Sequence, residues 1–277
     1  MNSTDITLKI IDNISSIEDL QKICSLNKHN YNMCKYYSKS ISKKLLDIFQ
    51  VDYTDPSNFI YLESGKKIND YKDESGAYNY KGILKIYMKH YYETEIKSNY
   101  DNITSFPIYP NMIKFYGMGK LTSFPIQPKM KLFHGWYNQL TSFPIQPMME
   151  EFIGNHNQLT SFPIQPNMKR FRGESNQLTS FPIQPMMEEF IGASNQLTSF
   201  PIQPNMKKFN GENNQLTSFP IQPMMIYFSG KGNQLTSFPI QPMMIYFSGK
   251  GNPLTSFPIQ PMIEHCSADP GICQLID

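Results

Sequence analysis

The groups able to do chemistry are scattered along the chain. His29, His90, His134, His156 and His265 have no neighbour at a spacing that a triad or a metal would use. Cys24, Cys34, Cys266 and Cys273 include no C-x-x-C pair and are too few and too far apart for a disulfide framework, so reduced thiols are expected. No glycine-rich phosphate loop is present. Ser161 has an equivalent in every repeat and therefore reads as a turn residue before a nucleophile. The sequence predicts no catalytic residue, metal, cofactor or small-molecule substrate, which leaves binding.

Residue types do recur at one spacing. Leu-Thr-Ser-Phe-Pro starts at Leu121 and returns at unbroken steps of 19 to Leu254, with a variant at Ile103. Such a period marks a solenoid, in which each short unit buries its apolar face only against the next, so that stability grows with repeat number. Around Glu151–Asn155 the chain alternates, with Phe152 and Gly154 inward, which is the period of a short strand. Stacked in parallel, these strands form a sheet whose outward positions vary between units. The partner-binding candidates on this concave face are Tyr116, His134, Trp136, Ile153, Arg172, Ile191, Tyr227 and Tyr246. Trp136, the only Trp, suits either partner contact or coverage of the irregular unit at Met112–Lys120, which is one residue short and lacks its Asn. Glu150/Glu151, Lys169/Arg170, Glu188/Glu189 and Lys207/Lys208 alternate in sign and are expected to neutralise each other across neighbouring strands.

Three further positions predict structure. Gly154 and its equivalents leave room for the two Phe rings of each unit, and Asn157 and its equivalents form a ladder bonding turn backbone. Phe162-Pro163-Ile164-Gln165-Pro166, with two prolines, forbids helix and predicts an extended convex side, with Met, Phe, Ile and Pro dominating a continuous core.

The unit M-x-x-F-x-G-x-x-N-Q-L-T-S-F-P-I-Q-P resembles the leucine-rich repeat, with Met and Phe in its first two Leu positions and Gly in the third. It is nearest to the short bacterial type with L-P-x-L-P on its back, and is similar to the Phe-Asn-Ile-Pro repeats of amoebae and giant viruses. The resemblance covers about residues 93–264 and implies an α/β leucine-rich-repeat solenoid of about nine units acting in protein–protein interaction.

Length and composition divide the chain into a helical N-terminal region at 1–92, the array at 93–264 and a tail at 265–277. A net charge of +2 argues against nucleic acid. No apolar run is long enough to span a membrane and Met1–Ile10 lacks a signal-peptide pattern, which predicts an intracellular protein. Ile6 to Leu26 and about Ser40–Gln50 carry helical spacing. Residues 63–80 read as a loop, Gly82–Glu93 as a helix, and Glu93–Asp101 as a degenerate repeat with Ile96 in the Phe position.

Ile10, Ile14, Leu20, Ile23 and Leu26 resemble the F-box, although Asp5-Ile6 replaces its opening Leu-Pro and its aromatic falls at Tyr31. That resemblance implies docking to a Skp-type adaptor and recruitment of a substrate to a host cullin-type ubiquitin ligase, whereas a plain reading makes the helices a cap on a scaffold or decoy binder. Together the two resemblances imply a protein of giant amoeba viruses, acting in host cytoplasm.

Overall fold

The computed structural model describes residues 22, 24–25, 32, 38–48, 72, 74–90, 92–98 and 104–273. Ile10, Ile14, Leu20, Ile23 and Leu26 lie outside them. The chain forms two compact units, one of residues 1–93 with 102–110, the other of 94–101 with 111–277.

In the first unit two helices pack together, α1 (Ser38–Ile48) and α2 (Tyr80–His90). The Asn79 side chain starts α2 by accepting from the Gly82 amide at 3.0 Å, satisfying one of the donors a helix start leaves open. Ile41, Leu45, Leu46, Ile83 and Tyr87 are buried. Tyr87 stacks on Tyr109 at 4.9 Å and donates its hydroxyl to the Ile108 carbonyl. Within the expected loop, Lys72 and Tyr78 form an antiparallel bridge.

The second unit is one parallel sheet of ten strands in sequence order: β1 (Glu95–Ser98), β2 (Lys114–Gly117), β3 (Leu132–His134), β4 (Glu151–Ile153), β5 (Arg170–Arg172), β6 (Glu189–Ile191), β7 (Lys208–Asn210), β8 (Tyr227–Ser229), β9 (Tyr246–Ser248) and β10 (His265–Ser267). Ile96 pairs with Phe115, as the degenerate first repeat requires. No helix occurs among the described residues from 95 to 273.

Each coil buries a Met, a strand Phe, a Leu and a second Phe, for example Met149, Phe152, Leu159 and Phe162. Strand rings stack from rung to rung, Phe152 on Phe171 at 5.4 Å, while Phe162 sits edge-on between them at 4.7 and 4.8 Å. The result is a continuous herringbone with the offset and edge geometries aromatic pairs prefer. A Cβ on Gly154 would lie 2.3 Å from the Phe152 ring, so the glycine makes room for its own strand Phe.

The Asn ladder forms as expected: Asn157 accepts from the Leu140 amide at 3.0 Å and donates to the Gly135 carbonyl at 2.8 Å. The residue before each Asn adopts a left-handed turn, as Tyr137, His156, Ser175, Ser194 and Asn213 and then as Gly232 and Gly251.

The convex side differs from the expected core. Ile164 and its equivalents are about half exposed, as is Met148, whereas Gln165 and its equivalents are buried. Extended backbone after proline turns Ile outward and Gln inward, and Gln is tolerated inside because it completes a second ladder. The Gln165 amide donates to Gln184 Oε1 at 2.7 Å, and Gln184 Nε2 donates to the Pro163 carbonyl at 2.9 Å. Prolines have no N–H to offer the next coil, so side-chain amides supply the cross-coil bonds.

The expectation of reduced thiols fails. Cys266, which takes the Phe place on β10, is disulfide-bonded to Cys273, and Cys24 is disulfide-bonded as well. A tight turn through Gly271, at φ +87°, with the Ile272 amide donating to the Asp269 carbonyl, folds the chain back and brings the two Cα atoms to 6.0 Å. β10 also carries the sheet past residue 264.

Candidate binding surface

Strand alternation leaves three outward rows along the concave face. The first runs through Glu151, Arg170, Glu189, Lys208, Tyr227 and Tyr246, and the second through Tyr116, His134, Ile153, Arg172, Ile191, Asn210, Ser229 and Ser248. The third contains Trp136, Asn155, Glu174, Ala193, Glu212, Lys231 and Lys250, one step beyond the inward glycines.

All eight sequence-derived candidates are partly exposed, but they do not form one patch. Tyr116, His134 and Trp136 come together, with Tyr116 edge-on to His134 at 5.0 Å and His134 against Trp136 at 5.6 Å. Lys97 lies over the Tyr116 ring at 5.8 Å. Ile153, Arg172 and Ile191 continue the same row as His134. Tyr227 and Tyr246 stand in a different row and stack at 4.5 Å, nearly parallel, with Lys208 over Tyr227 at 5.7 Å. Burial, together with the neighbouring Tyr246, raises the Tyr227 hydroxyl above its ordinary pKa of 10.0.

Between the aromatic ends, the charges pair across rungs. Glu150 lies 3.1 Å from Lys131 and 3.5 Å from Lys169, and Glu188 lies 2.9 Å from Lys207. Hydrogen bonds from Lys131 to Glu150 and from Lys207 to Glu188 hold both carboxyls below their ordinary value. Glu151 accepts from His134 at 2.9 Å and from Arg170 Nε at 2.8 Å. Its burial pushes the pKa up, but these two bonds outweigh that and leave it lowered. Arg172 and Lys208 both reach Glu189, at 3.1 and 3.6 Å. A mutually neutralised middle offers a partner little net charge, and each exposed pair contributes at most about 1 kcal/mol.

Sequence reasoning missed two features. Tyr137 and His156, at the left-handed turns, stack at 4.4 Å, a contact readable only from their separation of 19. Ser229 and Ser248 are buried on the concave side although they are polar.

No protein-family model matches the chain, and no curated protein matches it. Among solved structures it is similar to YopM from Yersinia enterocolitica WA-314, with a TM-score of 0.56 at 20% identity over 60% of this chain and 44% of that one. YopM of Yersinia pestis, described as a leucine-rich effector protein, gives a TM-score of 0.40 at 18% identity, over 63% of this chain and 65% of the other. The chain thus spans less than two thirds of either. The first likeness agrees with the ten-stranded parallel sheet, and the fold is a leucine-rich-repeat solenoid.

Proposed function

We propose that the chain is a non-enzymatic protein-binding module that holds its partner on the concave face. One observation carries this reading: the inward position of each central strand is Phe throughout, while the outward positions differ from unit to unit and keep large aromatics partly exposed at both ends. A core role explains the first pattern and not the second, and aromatic side chains on an open sheet gain by being covered. Trp136→Ala is expected to weaken partner binding by about 1–2 kcal/mol with little change in thermal stability. Proximity labelling identifies the partner, and titration of the variant then measures the effect. A loss of stability with affinity intact would make Trp136 a cover for the short unit at Met112–Lys120.

The finer reading is that residues 1–92 form a separate module, with Ile10, Ile14, Leu20, Ile23 and Leu26 contacting a Skp-type adaptor in the cytoplasm of a virus-infected amoeba. It rests on the sequence resemblance alone. A pull-down of the full chain with such an adaptor, repeated with Leu20→Ala and Ile23→Ala, decides it; absence of micromolar binding leaves a scaffold or decoy binder.

A further inference from the structure

The back of the array exposes a row that its core does not use. Ile126 and its seven equivalents to Ile259 are each 49% to 53% exposed, and Met148, Met186, Met224, Met243 and Met262 stand beside them at 45% to 53%. The second proline of each coil is exposed too, as at Pro166 and Pro185. From Leu140 to Met262, no segment running from a coil's Leu to the residue after that proline contains a charged side chain. Lys129 breaks the pattern at the first rung, where it donates to Asn111 at 2.8 Å.

The row is also uniform. Partly exposed front positions differ from coil to coil, as in Ile153, Arg172, Ile191 and Asn210, whereas the back position is Ile in all eight coils. Both rows passed through the same duplications, so copying alone does not account for one being varied and the other constant. A core role does not account for it either, because half of each Ile faces water while Phe and Gln fill the inside of the back. A varied surface suits an irregular partner. A ladder of identical knobs, one per coil, is matched over many rungs only by a surface of the same period, and this chain's own back has that period.

The amount of surface agrees. The exposed Ile, Met and Pro residues present on the order of 1,500 Å², beyond the roughly 300–600 Å² of the largest patch on a typical monomer and above the about 800 Å² per partner of a standard interface. The second Phe rings sit 6.0 Å apart where the strand rings sit 5.4 Å apart, so the ladder spreads toward its back and two backs meet most closely at their middle rungs. The surplus area allows the end rungs to stay out of contact. A two-fold axis across the array, with the copies antiparallel, lays Ile on Ile and Met on Met, whereas copies running the same way would lay Met over Thr and Ser.

We propose that the convex isoleucine ladder is a homodimer interface: two copies pack back to back and antiparallel, with Ile183 of one beside Ile202 of the other and both concave faces left open. The dimer forms whether or not the concave face binds a partner.

Sedimentation equilibrium of the full chain at micromolar concentration is expected to give twice the 32.1 kDa of one copy, unchanged in 1 M salt because an apolar contact is not screened. Ile183→Glu together with Ile202→Glu gives the monomer with an unchanged circular dichroism spectrum. Where the glutamates unfold the chain, Ile183→Ser with Ile202→Ser weakens association at least tenfold. Ile126→Glu with Ile259→Glu, at the end rungs, weakens it far less, and Trp136→Ala leaves it intact. The interface is refuted by a chain that stays monomeric, a dimer that survives the middle-rung variants, equal effects at middle and end rungs, dissociation in salt, or a mass that keeps climbing with concentration. Flotation of a monomeric chain with phosphatidylcholine vesicles, lost in Ile183→Glu with Ile202→Glu, would make a lipid surface the occupant and refute it as well.

Discussion

The front and the back of each coil solve the same problem by opposite means. On the front, three-residue strands pair amide to carbonyl along a parallel sheet and seat a Phe that needs Gly two residues later. On the back, proline-rich backbone has few amides to offer, and the buried Gln side chain carries the bonding from coil to coil. The front thus depends on shape and the back on polar completeness. A lost ring leaves a void, while a lost amide leaves buried carbonyls and N–H groups unpaired.

Four substitutions or conditions test this contrast. The largest effect belongs to the front: Phe190→Ala, removing a fully buried ring stacked on both neighbours, should lower unfolding free energy by about 3–5 kcal/mol in chemical denaturation. A loss below about 1 kcal/mol would show that the ring is not part of the herringbone. On the back, Gln184→Leu keeps volume and adds apolar surface, so a back that behaved as ordinary core would tolerate it. Because Gln184 bonds the Gln165 amide and the Pro163 carbonyl, a cost of about 2–3 kcal/mol is expected instead.

The turn between the two sides gives a smaller effect of opposite sign. Ser194 holds a left-handed backbone at φ 57°, where units eight and nine use Gly232 and Gly251, so Ser194→Gly should stabilise by up to about 1 kcal/mol. Destabilisation by the same variant would mean that the serine side chain itself holds the turn.

The smallest expected effect is that of pH. Glu150, Glu151 and Glu188 have carboxyl pKa values lowered below 4.5 in the folded chain, so their contribution is present above that value and is lost as pH falls through the lowered values. Melting curves between pH 6 and pH 3 should show a modest decline, removed by 1 M salt for the exposed pairs. A stability that rises toward pH 3 would contradict the pairing.

Much of the front was legible from the spacing alone. A step of 19 with Phe and Gly two apart implies strand, inward ring and parallel stacking, and Ile96 follows as the first rung because it falls 19 before Phe115. Asn157 was legible too, since a short amide at one place in every turn has backbone to bond. The outward positions of the binding candidates were legible, and so were their two aromatic groups, Tyr116, His134 and Trp136 at one side and Tyr227 and Tyr246 at the other, because offsets from the strand Phe and places in the array can be counted.

The sequence by itself determined the coil, its period and which strand residues face inward, because these follow from local alternation and from repetition that any reader can count. Tertiary structure alone decided that Ile164 faces water while Gln165 is buried, since hydropathy ranks them the other way and only the neighbouring coil supplies the amide's partners. It also decided that Cys266 meets Cys273, through a turn no spacing rule forecasts, and that two identical serines differ. Ser229 has a carboxylate and Ser248 has none, because what a buried hydroxyl bonds is set by the coil before it and not by its own.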